Sequence, residues 1–327
     1  RGATSLTRLG ATGLNPTFAL VSNTLRDAAT AAITADYSFQ IPLLSTLQGV
    51  FMDVTGDEYA IRYAAAGLGI NSLIGQDMDA AARLSHRVRK GGLRAALTSP
   101  RDFVDAVRDV LSHSEIGPRL IEFKAAYDFG VEKWGADSPA ALVLAGAASK
   151  DLTVNFTRAG SWSRQANEVV PFFNAAVQSA DKLARALGVL EPAPWASSQS
   201  RLEALKRTAG RSALLLTTTA LLLWLKHRDD DDWKELPAHE KWSYLHVWKL
   251  PSGSWVRVPL PFAAGALFGP LPIALLEEAR SPGALREALG VAFKNATPFD
   301  FSSLHAFARN AAIAAPIVDV IANKDWK

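Results

Sequence analysis

The chain has no cysteine, and two of its 327 residues are methionine. The lack of thiols excludes disulfide bonds, thiolate metal sites and a cysteine nucleophile. Neither sign of charge dominates, because 35 Lys and Arg residues stand against 32 Asp and Glu residues. This balance disfavours a dedicated nucleic-acid binder, which presents a strongly basic face.

Motifs of known catalytic chemistry are also lacking. The sequence has no Gly-x-Ser-x-Gly elbow, no metal triad and no glutamate in a recognisable muralytic setting. His239 and Glu240 are adjacent, but the HExxH zinc motif is missing. We therefore predict no enzymatic activity, no cofactor and no metal for this region.

Apolar residues make up 49% of the chain and charged residues 20%, which is enough for a folded core. They recur at spacings of three and four, as in amphipathic helices. In a helix opened by Pro42, for example, the residues expected on one side are Leu43, Leu44, Leu47, Val50 and Phe51. Alternating residues around a Pro-Ser-Gly-Ser turn predict one β-hairpin at about 243–259. The predicted fold class is all-α, a multi-helix bundle with this small hairpin.

Three ordered segments carry a resemblance to a known family. The first is DLTVNFTRAGSWSRQANEVVPFFNAAVQSADKLARAL at 151–187, the second is the Leu-Pro and hairpin block at 236–269, and the third is AAPIVDVIANKDWK at 314–327. Together they resemble large polyvalent protein associated domain 38. Domains of this kind occur in the internal virion or DNA-ejection proteins of tailed phages. We therefore divide the chain into a helical region at 1–150 and the resembling module at 151–327. The start at Arg1 and the end at Asn323–Lys327 lead us to expect a fragment of a much larger protein.

The resemblance implies a non-enzymatic module of a bacteriophage internal core protein. Such a protein is packed in the virion head, is released with the genome, and helps form a conduit across the periplasm and inner membrane of the host. The implied partners are further copies of the chain, portal, core and ejection proteins, the host inner membrane, and passing double-stranded DNA bound without sequence specificity. The alternative is a scaffolding or docking segment of a large multi-enzyme phage polyvalent protein, with no membrane role.

The apolar run LLLTTTALLLWL at 214–225 is the candidate membrane or core helix. It allows two interpretations, a buried central helix of a bundle or a segment that enters the host membrane. Counted from Ser212, about 14 residues are uncharged, fewer than the roughly 20 that span a bilayer unaided. The residues chosen for this element are Leu214, Leu215, Leu216, Leu221, Leu222, Leu223 and Trp224.

Aromatic and basic residues cluster around the hairpin. They are typical of cross-strand packing, of an intersubunit contact, of base stacking and of a membrane interface, and the sequence leaves these open. The interaction surface that we predict consists of Trp248, Trp255, Arg257 and Phe262.

Two charged segments have a structural and a functional interpretation. The run Asp229–Asp232 is either a solvated loop that stops a helix or a cation site, and it lacks the alternating ligand spacing of a calcium loop. The segment 158–164 is basic and hydroxyl-rich but has no phosphate-loop frame, so we interpret Arg158 and Arg164 as structural hydrogen-bond donors.

Overall fold

The structure is a computed structural model. It describes residues 24–68, 100–136, 138–153, 155, 173–261, 265 and 267–296. These residues are mostly helical and carry one two-stranded antiparallel sheet, which confirms the predicted fold class. They divide into two compact units. The predicted division of the chain at residue 150 stays a prediction, and the segment 314–327 lies outside the described residues.

The first unit contains the described residues up to 155 together with Pro192–Gln199. Its helices are α1 (Thr24–Thr34), α2 (Leu44–Thr55), α3 (Glu58–Ala65), α4 (Pro100–Trp134) and α5 (Pro139–Leu152). Local sequence explains two of the helix starts. The Asp57 side chain accepts a hydrogen bond from the Tyr59 backbone N–H, 2.9 Å away, and Ser138 caps α5 in the same way.

Helix α4 is continuous across Pro118, whereas the sequence suggests two helices that begin at Pro100 and Pro118. A proline normally clashes with the Cβ of the residue before it, which ends many helices. Here that residue is Gly117, which has no Cβ, so this part of the clash is absent. The carbonyl oxygen of Pro118 accepts a hydrogen bond from Gln40 Nε2 at 3.0 Å.

Small residues bring α2 and α5 very close to α4. A Cβ added at Gly49 of α2 would overlap the backbone of Gly117 in α4, and a Cβ at Gly117 would lie 2.5 Å from the carbonyl oxygen of Thr46. Helix α5 approaches α4 in the same way. A Cβ added at Gly130 of α4 would lie 2.7 Å from the Cα of Ala141 in α5. The backbones therefore approach as in small-residue helix pairs, where close packing replaces large interdigitating side chains.

A buried carboxylate anchors the loop after α1 to α4. Glu122 is 1% exposed and accepts hydrogen bonds from the backbone N–H groups of Asp36, Tyr37 and Ser38 at 2.7, 2.9 and 2.9 Å. The same loop meets Pro192–Gln199, because Tyr37 Oη donates to the carbonyl oxygen of Trp195 at 2.8 Å. The sequence suggests that Glu122 is a surface residue of a helix, and this is wrong, because the buried carboxylate binds the loop and fixes its path.

The second unit contains the described residues within 173–191 and 200–296. A π-helical turn, Ala213–Thr217, joins two of its helices. The elements are α6 (Phe173–Ala186), α7 (Arg201–Ser212), α8 (Thr218–His227), α9 (Asp231–Lys234), α10 (Ala238–Lys241), β1 (Tyr244–Lys249), β2 (Trp255–Pro259), α11 (Pro270–Glu278) and α12 (Ala284–Ala296).

Tryptophans and alanines form the core of the second unit. Trp233 and Trp242 pack edge to face with ring centroids 6.3 Å apart, and Trp224 Nε1 donates to the buried Glu277 Oε2 at 2.7 Å. The indole N–H and the carboxylate therefore satisfy each other inside the core. The remaining buried members of this cluster are Ala220, Ile273, Ala274, Ala284 and Ala288.

The contact between Gly49 and Gly117 generates the first prediction. We expect Gly49→Ala to lower the free energy of unfolding by about 3 kcal/mol, because the new methyl group has to displace backbone and not a flexible side chain. The matched control is Gly290→Ala in α12, where nothing lies within 4 Å of the added Cβ. This substitution should stabilise the chain by up to about 1 kcal/mol through helix propensity. Urea unfolding followed by circular dichroism measures both, and equal effects would contradict the close contact.

Candidate interaction site on the apolar helix and hairpin

Helices α7 and α8 and the π turn between them form one continuous helix, Arg201–His227, of 27 residues. At 1.5 Å per residue such a helix is about 40 Å long. By length and composition it is the one helix among the described residues that is able to cross a membrane. The sequence run considered alone is shorter than a membrane span, and the structure extends it with the turns of α7.

One side of this helix faces the core of its unit. Every fourth residue is buried along it: Ala204, Thr208, Ser212, Leu216, Ala220 and Trp224. In an ideal α-helix, residues spaced by four do not stay on one side. Each step of four rotates the stripe by about 40° around the helix axis, because one turn has 3.6 residues. The π turn at Ala213–Thr217 holds more residues per turn, so it reduces the drift and keeps the stripe on the core.

The other side of the helix Arg201–His227 exposes leucine. Leu214, Leu222 and Leu225 are 60%, 62% and 46% exposed, and only 28% of the most apolar 18-residue window is buried. A core helix of a soluble bundle is buried all round or hides its apolar stripe. Of the other residues predicted for this element, Leu216 and Trp224 are buried and Leu215, Leu221 and Leu223 are half-buried.

The three threonines within the apolar run have no free hydroxyl donor. Thr217 Oγ1 donates to the carbonyl oxygen of Phe268 at 2.6 Å, and the Thr218 and Thr219 hydroxyls donate to Ala213 and Leu215 at 2.9 and 2.7 Å. Hydroxyls bonded back to the helix carry little desolvation penalty. The run therefore offers a surface of lower polarity than its composition suggests.

The hairpin confirms the predicted strands and turn. Strands β1 and β2 pair antiparallel, with Leu245 opposite Val258, and an irregularity between His246 and Trp248 shifts the register. The turn contains Gly253 at φ +86°, a conformation that favours glycine. The shift explains why Trp248 and Val256 are partners.

Three of the four residues predicted to form the interaction surface lie on the strands of the hairpin. Trp248 is 50% exposed near the hairpin tip. Trp255 is half-buried, with its ring edge to face against two histidine rings. Arg257 pairs with Glu240 Oε2 at 2.6 Å and lies over the Tyr244 ring at 4.5 Å. Phe262 lies outside the described residues.

Helix α8 and the hairpin meet where the helix ends. Lys226 Nζ donates to the carbonyl oxygen of Val247 at 3.1 Å, and His227 Nε2 lies 3.2 Å from the same oxygen. Next to this junction, Trp248 and Leu250 are 50% and 42% exposed. Exposed leucines, a tryptophan and a lysine at the helix end are the residue types found where proteins enter a membrane interface.

The aspartate run after α8 is occupied by structural contacts. Asp230 Oδ1 accepts from the Asp232 backbone N–H at 3.0 Å and so caps the short helix α9. Asp229 pairs with Arg280, Asp231 with Lys234, and Asp232 with Lys249. The hydrogen bond from Arg280 is the main cause that lowers the pKa of Asp229. Among the described residues no group of three metal-binding side chains occurs.

A small cavity of about 40 Å³ lies between α8, the hairpin and α11, and His246 lines it. The His246 side chain is 4% exposed, and its Nε2 has no hydrogen-bond partner. Burial, with Arg257 nearby, lowers the pKa of His246 from 6.5 to about 4. Pockets for small molecules measure about 300 Å³ or more, so this cavity is too small for a substrate.

Residues 230–327 match the family model described as large polyvalent protein associated domain 38. This confirms the resemblance for the part of the chain that holds the hairpin, α11 and α12, whereas the resemblance at 151–187 stays a prediction. The description of this family names no enzymatic activity. No curated protein and no solved structure matches the chain.

His246 generates a prediction about pH. Between pH 6.5 and about 4 the unfolded chain binds a proton on this imidazole that the folded chain does not bind. The free energy of unfolding should therefore fall as the pH is lowered through this window, by up to about 3 kcal/mol. His227, Glu240 and Arg257 are the other charged or titratable groups beside it.

Urea titrations of the wild type and of His246→Gln between pH 6.5 and about 4 test this prediction. The difference between their unfolding free energies at each pH gives the contribution of His246. The carboxylates that titrate near its lower end are common to both proteins and cancel. An identical slope of unfolding free energy against pH in the two proteins would contradict the assignment.

Proposed function

We propose that this chain is a non-enzymatic module of a tailed-phage internal virion protein, which leaves the head with the genome and applies its apolar helix to the host inner membrane. The outward leucine face of Arg201–His227 is the observation that carries this proposal. The match of residues 230–327 to a domain of large polyvalent proteins supports it.

Transfer of this face from water to lipid is favourable. Apolar surface removed from water contributes about 25 cal/mol per Å². The threonine hydroxyls are already bonded to carbonyl groups, so lipid contact leaves none of them without a partner. The preceding segment Arg201–Arg211 has four cationic residues and one carboxylate in its sequence, and anionic headgroups attract such a segment.

The geometry favours contact at the interface before any insertion. The buried stripe that ends at Trp224 holds the helix on its core, so only the leucine face is available to lipid. The uncharged part, Ser212–Leu225, has 14 residues and covers about 21 Å, less than the roughly 30 Å of hydrocarbon. The homo-oligomer belongs to the proposal as what a conduit implies.

The second candidate is a docking segment of a multi-enzyme polyvalent protein without a membrane role. Exposed apolar side chains on α2, in the first unit, support it, because the charged residues that follow them are carboxylates and suit a protein partner. Contact with lipid is the property that distinguishes the two candidates.

Vesicle flotation tests the proposal. We expect the purified chain to float with vesicles of phosphatidylethanolamine and phosphatidylglycerol, and the double variant Leu214→Glu, Leu222→Glu to lose about tenfold in binding, because each carboxylate faces hydrocarbon. The matched control is Leu275→Glu, Leu289→Glu, at residues that are 60% and 50% exposed in the same unit. Equal losses in both double variants, or no flotation of the wild type, would argue for the docking candidate.

Mass spectrometry of purified virions tests the location. Peptides from residues 173–296 should be present in full particles and depleted from particles that have ejected their genome. Their retention in emptied particles would indicate a fixed structural part, and their absence from full particles would remove the virion proposal.

A further inference from the structure

The small cavity between α8, the hairpin and α11 combines apolar walls with a polar atom that lacks a partner. Its walls include the side chains of Trp224, Trp242 and Ile273. His246 also lines it, is 4% exposed, and has no hydrogen-bond partner at Nε2 among the described residues. A buried polar atom of this kind is costly unless a ligand or an internal water molecule binds it.

The other nitrogen of the His246 ring determines what Nε2 binds. Burial is the main cause that lowers the pKa of His246 to about 4, whereas a hydrogen bond with the backbone of Tyr244 acts to raise it. A hydrogen bond raises the pKa of an imidazole when the ring donates it, because the protonated ring is then favoured. Since Nε2 has no partner among the described residues, the donor is Nδ1–H, and Nε2 of the neutral ring is an acceptor. The group that completes His246 is therefore a hydrogen-bond donor.

The size of the cavity limits this donor. An internal water molecule needs about 10 to 15 Å³ of cavity, so a cavity of about 40 Å³ holds about two or three of them. A cavity that binds a molecule of the size of benzene measures about 150 Å³. The donor that fits beside His246 is therefore water and not an organic ligand.

Internal water needs more than one polar partner, and Lys241 supplies a second one. Lys241 lines the same cavity, and burial is the main cause that lowers the pKa of its ammonium group. Its Nζ donates to the carbonyl oxygen of Lys234 at 2.7 Å and lies 4.6 Å from the centroid of the Trp233 ring. An ammonium group has three N–H donors, so the bond to Lys234 leaves capacity for a water molecule. Water that accepts from Lys241 and donates to His246 satisfies both side chains.

The charges around the cavity do not suit a metal ion. Among the described residues that line the cavity, none is a carboxylate, and Lys241 is a cation. After burial, the positive charge of Arg257 is the next cause that lowers the pKa of His246, and a bound cation would meet the same repulsion. Protein sites for zinc present three or four His, Cys or carboxylate ligands, and no such group occurs among the described residues.

We propose that this cavity is a binding site for internal water, in which one molecule donates a hydrogen bond to His246 Nε2 and links it to Lys241. His246 belongs to β1 and Lys241 to α10, so the water connects the hairpin to the short helix before it. A water with such partners is part of the structure and exchanges more slowly than surface water. The proposal does not depend on whether the leucine face of Arg201–His227 contacts lipid.

The experiment uses the full chain with labelled histidine and two probes, water and xenon. In the wild type we expect nuclear Overhauser contacts between long-lived water and the His246 ring, and a nitrogen shift at Nε2 typical of a hydrogen-bonded acceptor. We also expect no xenon binding, because xenon enters dry apolar cavities. The substitution Lys241→Met keeps an apolar stem and removes the donors, so it should weaken the contacts with water at His246.

Two variants of His246 make the result specific. His246→Val removes the acceptor and suits a strand, so its cavity should lose water and bind xenon at least about tenfold more tightly than the wild type. The matched control His246→Gln keeps a polar side chain with an acceptor oxygen and should still exclude xenon. Xenon shifts in nuclear magnetic resonance spectra measure the binding in all three proteins.

Other outcomes would overturn the proposal. Xenon binding by the wild type, or a His246 ring without water contacts, would show that the cavity is dry. Equal xenon affinity of His246→Val and His246→Gln would show that the acceptor does not hold water. A rise in Tm on addition of zinc chloride that His246→Gln abolishes would identify a metal ligand instead.

Discussion

Close approach of helix backbones through small residues is the constraint on which the structure depends. In the first unit Gly49 meets Gly117, and Ala141 meets Gly130. In the second unit the buried stripe of Arg201–His227 is made mainly of alanine, serine and threonine. Where two backbones approach as closely as at Gly49 and Gly117, no large side chain fits between the helices, so the leucines, valine and phenylalanine of α2 lie on its outer side.

Packing of small residues buries little apolar area, and polar contacts supply further order. Glu122 binds three consecutive backbone N–H groups, and Glu277 binds the Trp224 indole. Arg119 is 2% exposed and pairs with Glu115 at 3.0 Å, while burial raises the pKa of Glu115. Hydrogen-bonded carboxylates inside a unit are costly to leave unsatisfied, so they fix loop paths that apolar contact alone leaves free.

Periodicity and turn chemistry predict where helices and strands occur better than they predict which of their sides are buried. The hairpin, the helix opened near Pro42 and the apolar run at 214–225 all follow from spacing. Spacing places Leu44, Leu47 and Phe51 on one side of the helix. It does not show whether that side faces a core, because the close contact of Gly49 with Gly117, far away in the sequence, determines which side of the helix is inward. For the same reason the positions of Trp255 between two histidines and of Glu122 under a loop depend on tertiary contacts that local sequence does not encode.

The two outward apolar faces differ in the charged residues that adjoin them in the sequence. The leucines of α8 follow a segment of four cations and one carboxylate, whereas the leucines of α2 precede three carboxylates with no cation among them. Apolar burial is not selective, since lipid and protein both satisfy it. Charged residues beside an apolar face bias the choice between them, and the four cations of Arg201–Arg211 are of the sign that anionic headgroups attract.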